Sequence, residues 1–332
     1  MKVGLLGVGR IGSFHARTLA SNPAVTTLRI VDADPERARS VAADVGATTV
    51  ADVRALVAWA DALVIATATD THAELICLGA EAGLPVFCEK PIALELEATD
   101  RVLESVDKAG IQLQIGFQRR FDIGFVEARR IVEDGELGTL YSARLATHDP
   151  APPPDAYIKV SGGLFRDLMI HDFDLVRWVT GEDVLEVYAA GGVLTGNEAF
   201  SEAGDVDTAI TVLRLSGGAL AIISGLRHDP RGYDVRLELF GSGDAVVAGM
   251  DGRAPIRRIG ADLRVGGEPE YRDFMERFKS AYRDELNVFL SVARGEVDSP
   301  CTGADARESL RVALAATRSL HEGHPVALED IG

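Results

Sequence analysis

The chain opens with a short apolar run, residues 3–6, that leads directly into Gly7-Val8-Gly9-Arg10-Ile11-Gly12 and then into a helical pattern. No other feature limits the fold as tightly, because each glycine has a separate physical task. Gly7 permits a tight turn, Gly9 lets backbone approach a pyrophosphate, and Gly12 lets a helix pack closely on a strand. The helix N-terminus then presents unsatisfied N–H groups and the positive end of its dipole to the phosphates. Asp32 ends the second apolar run, residues 28–31, twenty positions beyond Gly12. A carboxylate there accepts hydrogen bonds from an adenosine ribose. Strand, glycine turn, helix and acid in this order predict a dinucleotide site containing Gly7, Gly9, Arg10, Ile11, Gly12 and Asp32. The cofactor expected is NAD, since a carboxylate repels a 2′-phosphate about 4 Å away by roughly 1 to 4 kcal/mol. Arg10 and Arg37 are the residues able to offset that repulsion.

The rest of the chain is organised around this start. Apolar runs at 63–66, 86–88 and 111–117 alternate with helical patterns, one capped by Thr71 and reaching Gly83, another over 94–109 stopped by Gly110. Continuously apolar strands with crossover helices predict a doubly wound parallel sheet over residues 1–118. Beyond 118 the runs at 140–146, 184–190, 209–215, 219–226 and 235–240 alternate in polarity, and helical patterns follow at 274–294 and 304–322. They predict an α+β domain, residues 119–332, around a large, mainly antiparallel open sheet. A length of 332 residues also exceeds what one core holds.

Charge and composition exclude other classes. Acidic residues outnumber basic ones by 51 to 34, and no basic run offers a stripe for nucleic acid. No apolar stretch approaches the roughly 18 residues of a membrane span, and the start lacks a signal-peptide core, so a cytoplasmic protein is expected. The three cysteines, Cys77, Cys88 and Cys301, lack disulfide or zinc spacing, and no metal is expected.

Two further clusters carry chemistry. Glu89-Lys90-Pro91 follows the 86–88 strand at the carboxyl edge of the sheet, where open α/β folds bind ligands. Only five lysines stand against twenty-nine arginines, so a lysine at this edge suggests a compact, titratable ammonium, against the alternative of a solvated loop side chain. Residues 164–179 read as one buried helix ending at Thr180-Gly181, with Asp167, His171 and Asp174 on one face. Such groups pair with one another or line a polar cavity. A carboxylate one turn from a histidine fixes its tautomer and raises its basicity, which makes Asp167 and His171 either an oriented general base or a structural polar pair. No Tyr-x-x-x-Lys occurs, which excludes the short-chain dehydrogenase arrangement. His15, His72, His228, His321 and His324 carry no role evident from their surroundings.

Taken in order, Gly7-x-Gly9-x-x-Gly12, Glu89-Lys90-Pro91 and Asp167-x-x-x-His171 resemble the glucose-fructose oxidoreductase, inositol dehydrogenase and rhizopine-catabolism (Gfo/Idh/MocA) family over nearly the whole chain. The stretches from His148 to Pro154 and from Ser161 to Asp167 resemble its inositol 2-dehydrogenase branch. The resemblance implies that Lys90 lies between nicotinamide and substrate, with Pro91 in a cis peptide, and that Asp167 and His171 meet it across the cleft. It implies that Arg120 and Tyr233 line the polyol pocket and that Asp149 accepts a substrate hydroxyl. Thr67, His72 and Glu89 complete the residues expected around the cofactor. The activity implied is NAD-linked oxidation of myo-inositol to 2-keto-myo-inositol (scyllo-inosose), as in inositol catabolism, with His171 as base and a homotetramer built on the second domain's sheet. Other sugar or polyol dehydrogenases of the family, acting on an aldose, scyllo- or chiro-inositol or an inositol derivative, and a non-catalytic dinucleotide-binding regulator are the alternatives. Paired initial-rate measurements are expected to give a lower KM for NAD than for NADP; the reverse order would remove Asp32 from its assigned role.

Overall fold

The computed structural model describes residues 1–250 and 271–332 and divides into two compact units. The first comprises Met1–Gln118 and Ser280–Glu308, the second Arg119–Lys279 and Ser309–Gly332.

The first unit is built on six parallel strands: β1 (Lys2–Leu6), β2 (Thr27–Val31), β3 (Thr48–Thr49), β4 (Ala62–Ile65), β5 (Val86–Glu89) and β6 (Leu113–Gly116). Their order is β3-β2-β1-β4-β5-β6, so the sheet reverses direction of growth between β1 and β4. Ligands of open α/β sheets bind at such a switch point, beyond the carboxyl ends of the strands. All four residues of β4 and of β5 are buried, as strands covered on both faces must be. The covering helices are α1 (Arg10–Ser21), α2 (Pro35–Val45), α3 (Val53–Trp59), α4 (Thr69–Glu81) and α5 (Leu96–Ala109). Asp34 caps α2 by accepting from the N–H groups of Glu36 and Arg37, and Gly110 ends α5 in the left-handed region at φ 65°. Helix α4 starts two residues before the expected cap. Thr71 lies in its first turn and donates its hydroxyl to the Ala68 carbonyl instead of capping.

The second unit begins with α6 (Ile123–Glu133), β7 (Leu140–His148), α7 (Asp155–Ile158), α8 (Leu164–Asp167) and α9 (Ile170–Thr180). It continues through β8 (Val184–Gly192), α10 (Glu198–Glu202), β9 (Thr208–Leu215), β10 (Leu220–Leu226), β11 (Asp234–Gly241) and β12 (Ala245–Ala248). With β13 (Val326–Ala327) these strands make a seven-stranded sheet, order β12-β11-β7-β10-β9-β8-β13. Every pairing is antiparallel except that of β7 with β10. Residues alternate between a buried face and an open one, which exposes Tyr188, Ile210, Leu220 and Ile222. The expected single helix over 164–179 is two helices, because the chain turns at Leu168 and Met169. Asp167 therefore ends one helix and His171 opens the next.

The helical tail comprises α11 (Phe274–Arg277), α12 (Lys279–Ala293) and α13 (Gly303–Glu322). Ser280–Glu308, expected from the sequence to belong to the second domain, packs with the first unit. An apolar stripe on α12 explains this: Leu286, Phe289 and Leu290 join the core formed by Val3, Leu5, Val64 and Phe87, with the Phe87 and Phe289 rings 5.7 Å apart. Tyr282, on the same stripe, meets Phe14 and His15 edge-on. A stripe at helical spacing announces burial but not which sheet it covers. Among the described residues no helix is long and apolar enough to cross a membrane.

The glycine turn gives the fold its sharpest constraint. A Cβ on Gly12 would lie 2.1 Å from the Gly7 carbonyl oxygen, which is backbone and cannot swing away. Gly12→Ala is expected to raise the NADH dissociation constant by at least ~10-fold, about 1.4 kcal/mol; unchanged affinity in a fluorescence titration would show that the turn relaxes freely.

Candidate functional site

In the first unit, the loop after β1 forms a cradle of the kind a dinucleotide needs. Gly7 sits at φ +85°, and a Cβ there would meet the Ala66 carbonyl at 2.5 Å, whereas a Cβ on Gly9 would meet nothing within 4 Å. Space above Gly9 is open for a pyrophosphate, and α1 begins there with no side-chain cap on its N–H groups. Asp32 lies at the end of β2 beside this loop. Its Oδ2 accepts from the Val8 N–H at 2.7 Å and its Oδ1 from the Asp34 N–H at 2.8 Å and from Arg37 at 2.5 Å. Burial opposes the charge, but these donors, led by Arg37, outweigh it and hold the carboxyl below the usual carboxylate range. Arg37, raised above as a residue able to reach a phosphate, is thus drawn to Asp32. The glycine cradle, open helix terminus and ionised Asp32 fit NAD.

At the carboxyl edge of the same sheet, Lys90 follows β5 and the Lys90-Pro91 peptide is cis, as the resemblance implied. Two histidines hold this edge: His72, which the resemblance places near the cofactor, and His15, given no role above. His72 is 1% exposed, and its ring nitrogens meet the Pro91 carbonyl at 2.8 Å and the Thr67 carbonyl at 3.2 Å. Burial pushes its imidazole below the ordinary histidine value, and a neutral ring has one N–H to donate, for which the Pro91 carbonyl is the nearer acceptor. His15, fully buried in α1, bonds Glu89 through Nε2 at 2.6 Å. Glu89 is therefore turned inward, towards the core of the unit. Glu285, delivered by α12, is buried nearby, and burial followed by the Glu89 charge pushes its carboxyl well above the carboxylate range. Thr67 shares a hydroxyl contact with Thr71 at 2.7 Å. His72 and Glu89 thus bond to groups of the same unit, the Pro91 and Thr67 carbonyls and the His15 ring.

The second unit gathers a polar centre on the helix-covered side of its sheet. Asp167 accepts from the Tyr157 hydroxyl at 2.9 Å and from Arg227 at 2.7 Å, and Arg227 also donates to Asp149 at 3.2 Å. Asp149 and Asp167, predicted separately, are brought together by an arginine that sequence reasoning missed. His171 is half-buried in the first turn of α9. Asp174, expected on the same face, is instead buried against Arg120, which donates from Nε at 2.8 Å and from a terminal nitrogen at 2.5 Å. Arg120, expected to line the polyol pocket, is itself buried and spends this fork on Asp174. Next to it Arg119 pairs with Asp172 at 2.7 Å, and Thr147 donates to the same oxygen at 2.7 Å. Tyr233 is buried against the rings of Phe274 and Phe278. Burial pushes its phenol above the ordinary tyrosine value despite the neighbouring Arg119. The adjacent arginines 119 and 120 and two acids in an apolar helix were a visible signal for the ion pairs. Tyr157 and Arg227 left none.

Among the described residues His148, Asp229 and Asp234 place ligand atoms within 4.8 Å of one another. Arg236 lies 3.0 Å from Asp234 and supplies positive charge to that trio.

Comparison with known proteins fits this arrangement. Residues 1–117 match the oxidoreductase family with an NAD-binding Rossmann fold, and residues 125–247 match the GFO/IDH/MocA C-terminal domain. Myo-inositol 2-dehydrogenase of Thermotoga maritima is 38% identical over 334 residues, covering 100% of this chain and 99% of that protein. The crystal structure of a myo-inositol dehydrogenase from Corynebacterium glutamicum superposes with a TM-score of 0.88 at 36% identity, covering 99% of this chain and 98% of that one. Scyllo-inositol dehydrogenase from Lactobacillus casei, with bound NAD(H) and scyllo-inositol, gives 0.89 at 27% identity and covers 99% of both chains. Glycine cradle, lysine edge and full-length likeness agree: the chain belongs to the GFO/IDH/MocA family and is an NAD-dependent oxidoreductase.

Proposed function

We propose that this chain oxidises a secondary hydroxyl of a cyclic polyol, converting myo-inositol to 2-keto-myo-inositol (scyllo-inosose). The observation that carries the reading is the joined pair of carboxylates Asp149 and Asp167 beside the turn that leads to His171, since a polyhydroxylated ring needs fixed hydroxyl acceptors. Relatives named for myo-inositol, and matched over their whole length, support the choice of isomer. The Lactobacillus casei structure, which holds scyllo-inositol, favours that isomer as the second reading.

Bound NAD supplies the hydride acceptor. The chain's own residues move the proton and orient the ring. His171 takes the hydroxyl proton on an imidazole nitrogen, and Asp167, held by Tyr157 and Arg227, steadies the resulting imidazolium. The Lys90 ammonium donates a hydrogen bond to the reacting oxygen, which favours the developing negative charge there. Asp149 accepts a second ring hydroxyl and Tyr233 closes the pocket. Arg120 serves the same pocket by fixing Asp174, and with it α9. A homotetramer through the open sheet face of the second unit covers Tyr188, Ile210, Leu220 and Ile222, apolar residues otherwise left to water. A cytoplasmic location and a catabolic direction complete the proposal.

The test is NADH formation at alkaline pH from myo-inositol, beside scyllo-inositol, D-chiro-inositol, glucose and xylose. Turnover of myo-inositol is expected, and preference for scyllo-inositol would move the assignment to that isomer. Silence across the panel with NADH still bound would mean a non-catalytic dinucleotide-binding protein. His171→Ala is expected to lower kcat by ~10²- to 10⁴-fold, more than it raises KM, and to flatten the alkaline rise in rate; an unchanged kcat would exclude His171 as the base.

A further inference from the structure

The proposed chemistry gives roles to Asp149 and Asp167 but none to the cation between them. Arg227 lies one residue beyond the end of β10 and is only 4% exposed. Its backbone N–H donates to the Asp207 carbonyl at 2.8 Å, which fixes the point from which the side chain reaches. One terminal nitrogen donates to Asp149 Oδ2 at 3.2 Å and the other to Asp167 Oδ2 at 2.7 Å. Asp149 stands just past β7 and Asp167 at the end of α8, so a single guanidinium joins two elements separated by a long loop. Asp167 uses its second oxygen on Tyr157. Asp149 Oδ1 has no hydrogen-bond partner among the described residues, and its side chain is 17% exposed, as an acceptor waiting for a hydroxyl must be.

Two features make the arginine more than a filler. A planar fork can hold two carboxylates at set angles, which a lysine ammonium cannot do. The surroundings are also dominated by negative charge: Asp149, Asp167 and Asp205 face Arg227, with the Tyr157 phenol alongside, while Arg119, bonded to Asp172, is a more distant cation for Asp149. Burial already pushes the Asp149 carboxyl above its ordinary value, and Arg227 is the first of the groups that oppose this.

We infer that Arg227 is a positioning residue, which locks the hydroxyl acceptor Asp149 and the imidazole partner Asp167 into one rigid, ionised unit. The inference rests on the polyol-dehydrogenase reading for the roles of the two acids. Hydroxyl recognition and base strength are then coupled through one side chain, and loss of that side chain leaves carboxylates that take up protons at higher pH.

The full-length enzyme with NAD and the best polyol of the panel tests this with Arg227→Met and Arg227→Lys. In Arg227→Met the acidic limb of the kcat/KM profile is expected to move up by about one pH unit or more, from the loss of a neighbouring opposite charge. Asp149→Asn added to that variant removes the mutual repulsion of the two acids and is expected to return the limb towards its original position. Arg227→Lys keeps the charge but not the fork, so the limb stays near its original position while KM rises about tenfold. Thermal unfolding gives a reading free of activity. Carboxyls whose folded-state pKa is raised lose stabilisation as pH rises above the unfolded carboxylate value, so the Tm deficit of Arg227→Met is expected to widen as pH rises from about 4. An unmoved limb with a pH-independent Tm deficit would reduce Arg227 to packing. If Arg227→Met does not fold, Arg227→Lys with unchanged KM and kcat overturns the proposal equally. If no polyol is turned over by the unaltered enzyme, the dehydrogenase reading fails, and the unfolding series still decides whether Arg227 holds the acids.

Discussion

Burial of charge on α9 is the constraint on which the second unit depends. The helix is apolar around most of its circumference, yet it carries Asp172 and Asp174 into the interior, where a lone carboxylate costs several kcal/mol. Arg119 and Arg120, adjacent in the chain, meet one acid each, and both pairs are almost wholly removed from solvent. Removing one partner of such a pair costs about 3 to 5 kcal/mol, because the other charge stays behind. The two-pronged Arg120–Asp174 pair and the single Arg119–Asp172 bond hold the helix whose first turn bears His171 at two successive acids.

The first unit solves a related problem differently. Lys90 has to stand at a strand end with a defined aim, although a lysine side chain has four flexible bonds. The backbone on both sides of it is secured from below, by His15 through Glu89 and by His72 through the Pro91 carbonyl. The Glu-Lys-Pro sequence thus divides its work between a buried glutamate bonded to His15, a half-buried lysine, and a proline whose carbonyl is tethered.

Features set by near neighbours along the chain are legible in the sequence itself. Gly7, Gly9 and Gly12 constrain a turn only six residues long, Asp32 ends the next strand, and Gly110 and Gly181 stop their helices where the left-handed conformation needs glycine. Contacts made across long chain separations are not legible in this way. Arg227 reaches back 60 residues to Asp167 and 78 to Asp149, and His15 reaches 74 residues to Glu89. Nothing in the local pattern around Arg227 distinguishes it from an arginine in water. The Asp167 to His171 spacing predicts one helical face, and the break at Leu168 and Met169 replaces that face with two helix ends. The break has no glycine or proline to announce it.

Tail residues 280–308 are part of the dinucleotide unit's core, although more than 160 positions separate them from Gln118. A chain made from its N-terminus cannot complete that core early. The faces of β1, β4 and β5 that Leu286, Phe289 and Leu290 cover stay open until α12 has been synthesised. The cofactor unit is therefore discontinuous in the gene as well as late in assembly: residues 1–118 lack part of its core, and a ribosome stalled within the second unit holds a nucleotide-binding sheet with one face only partly covered.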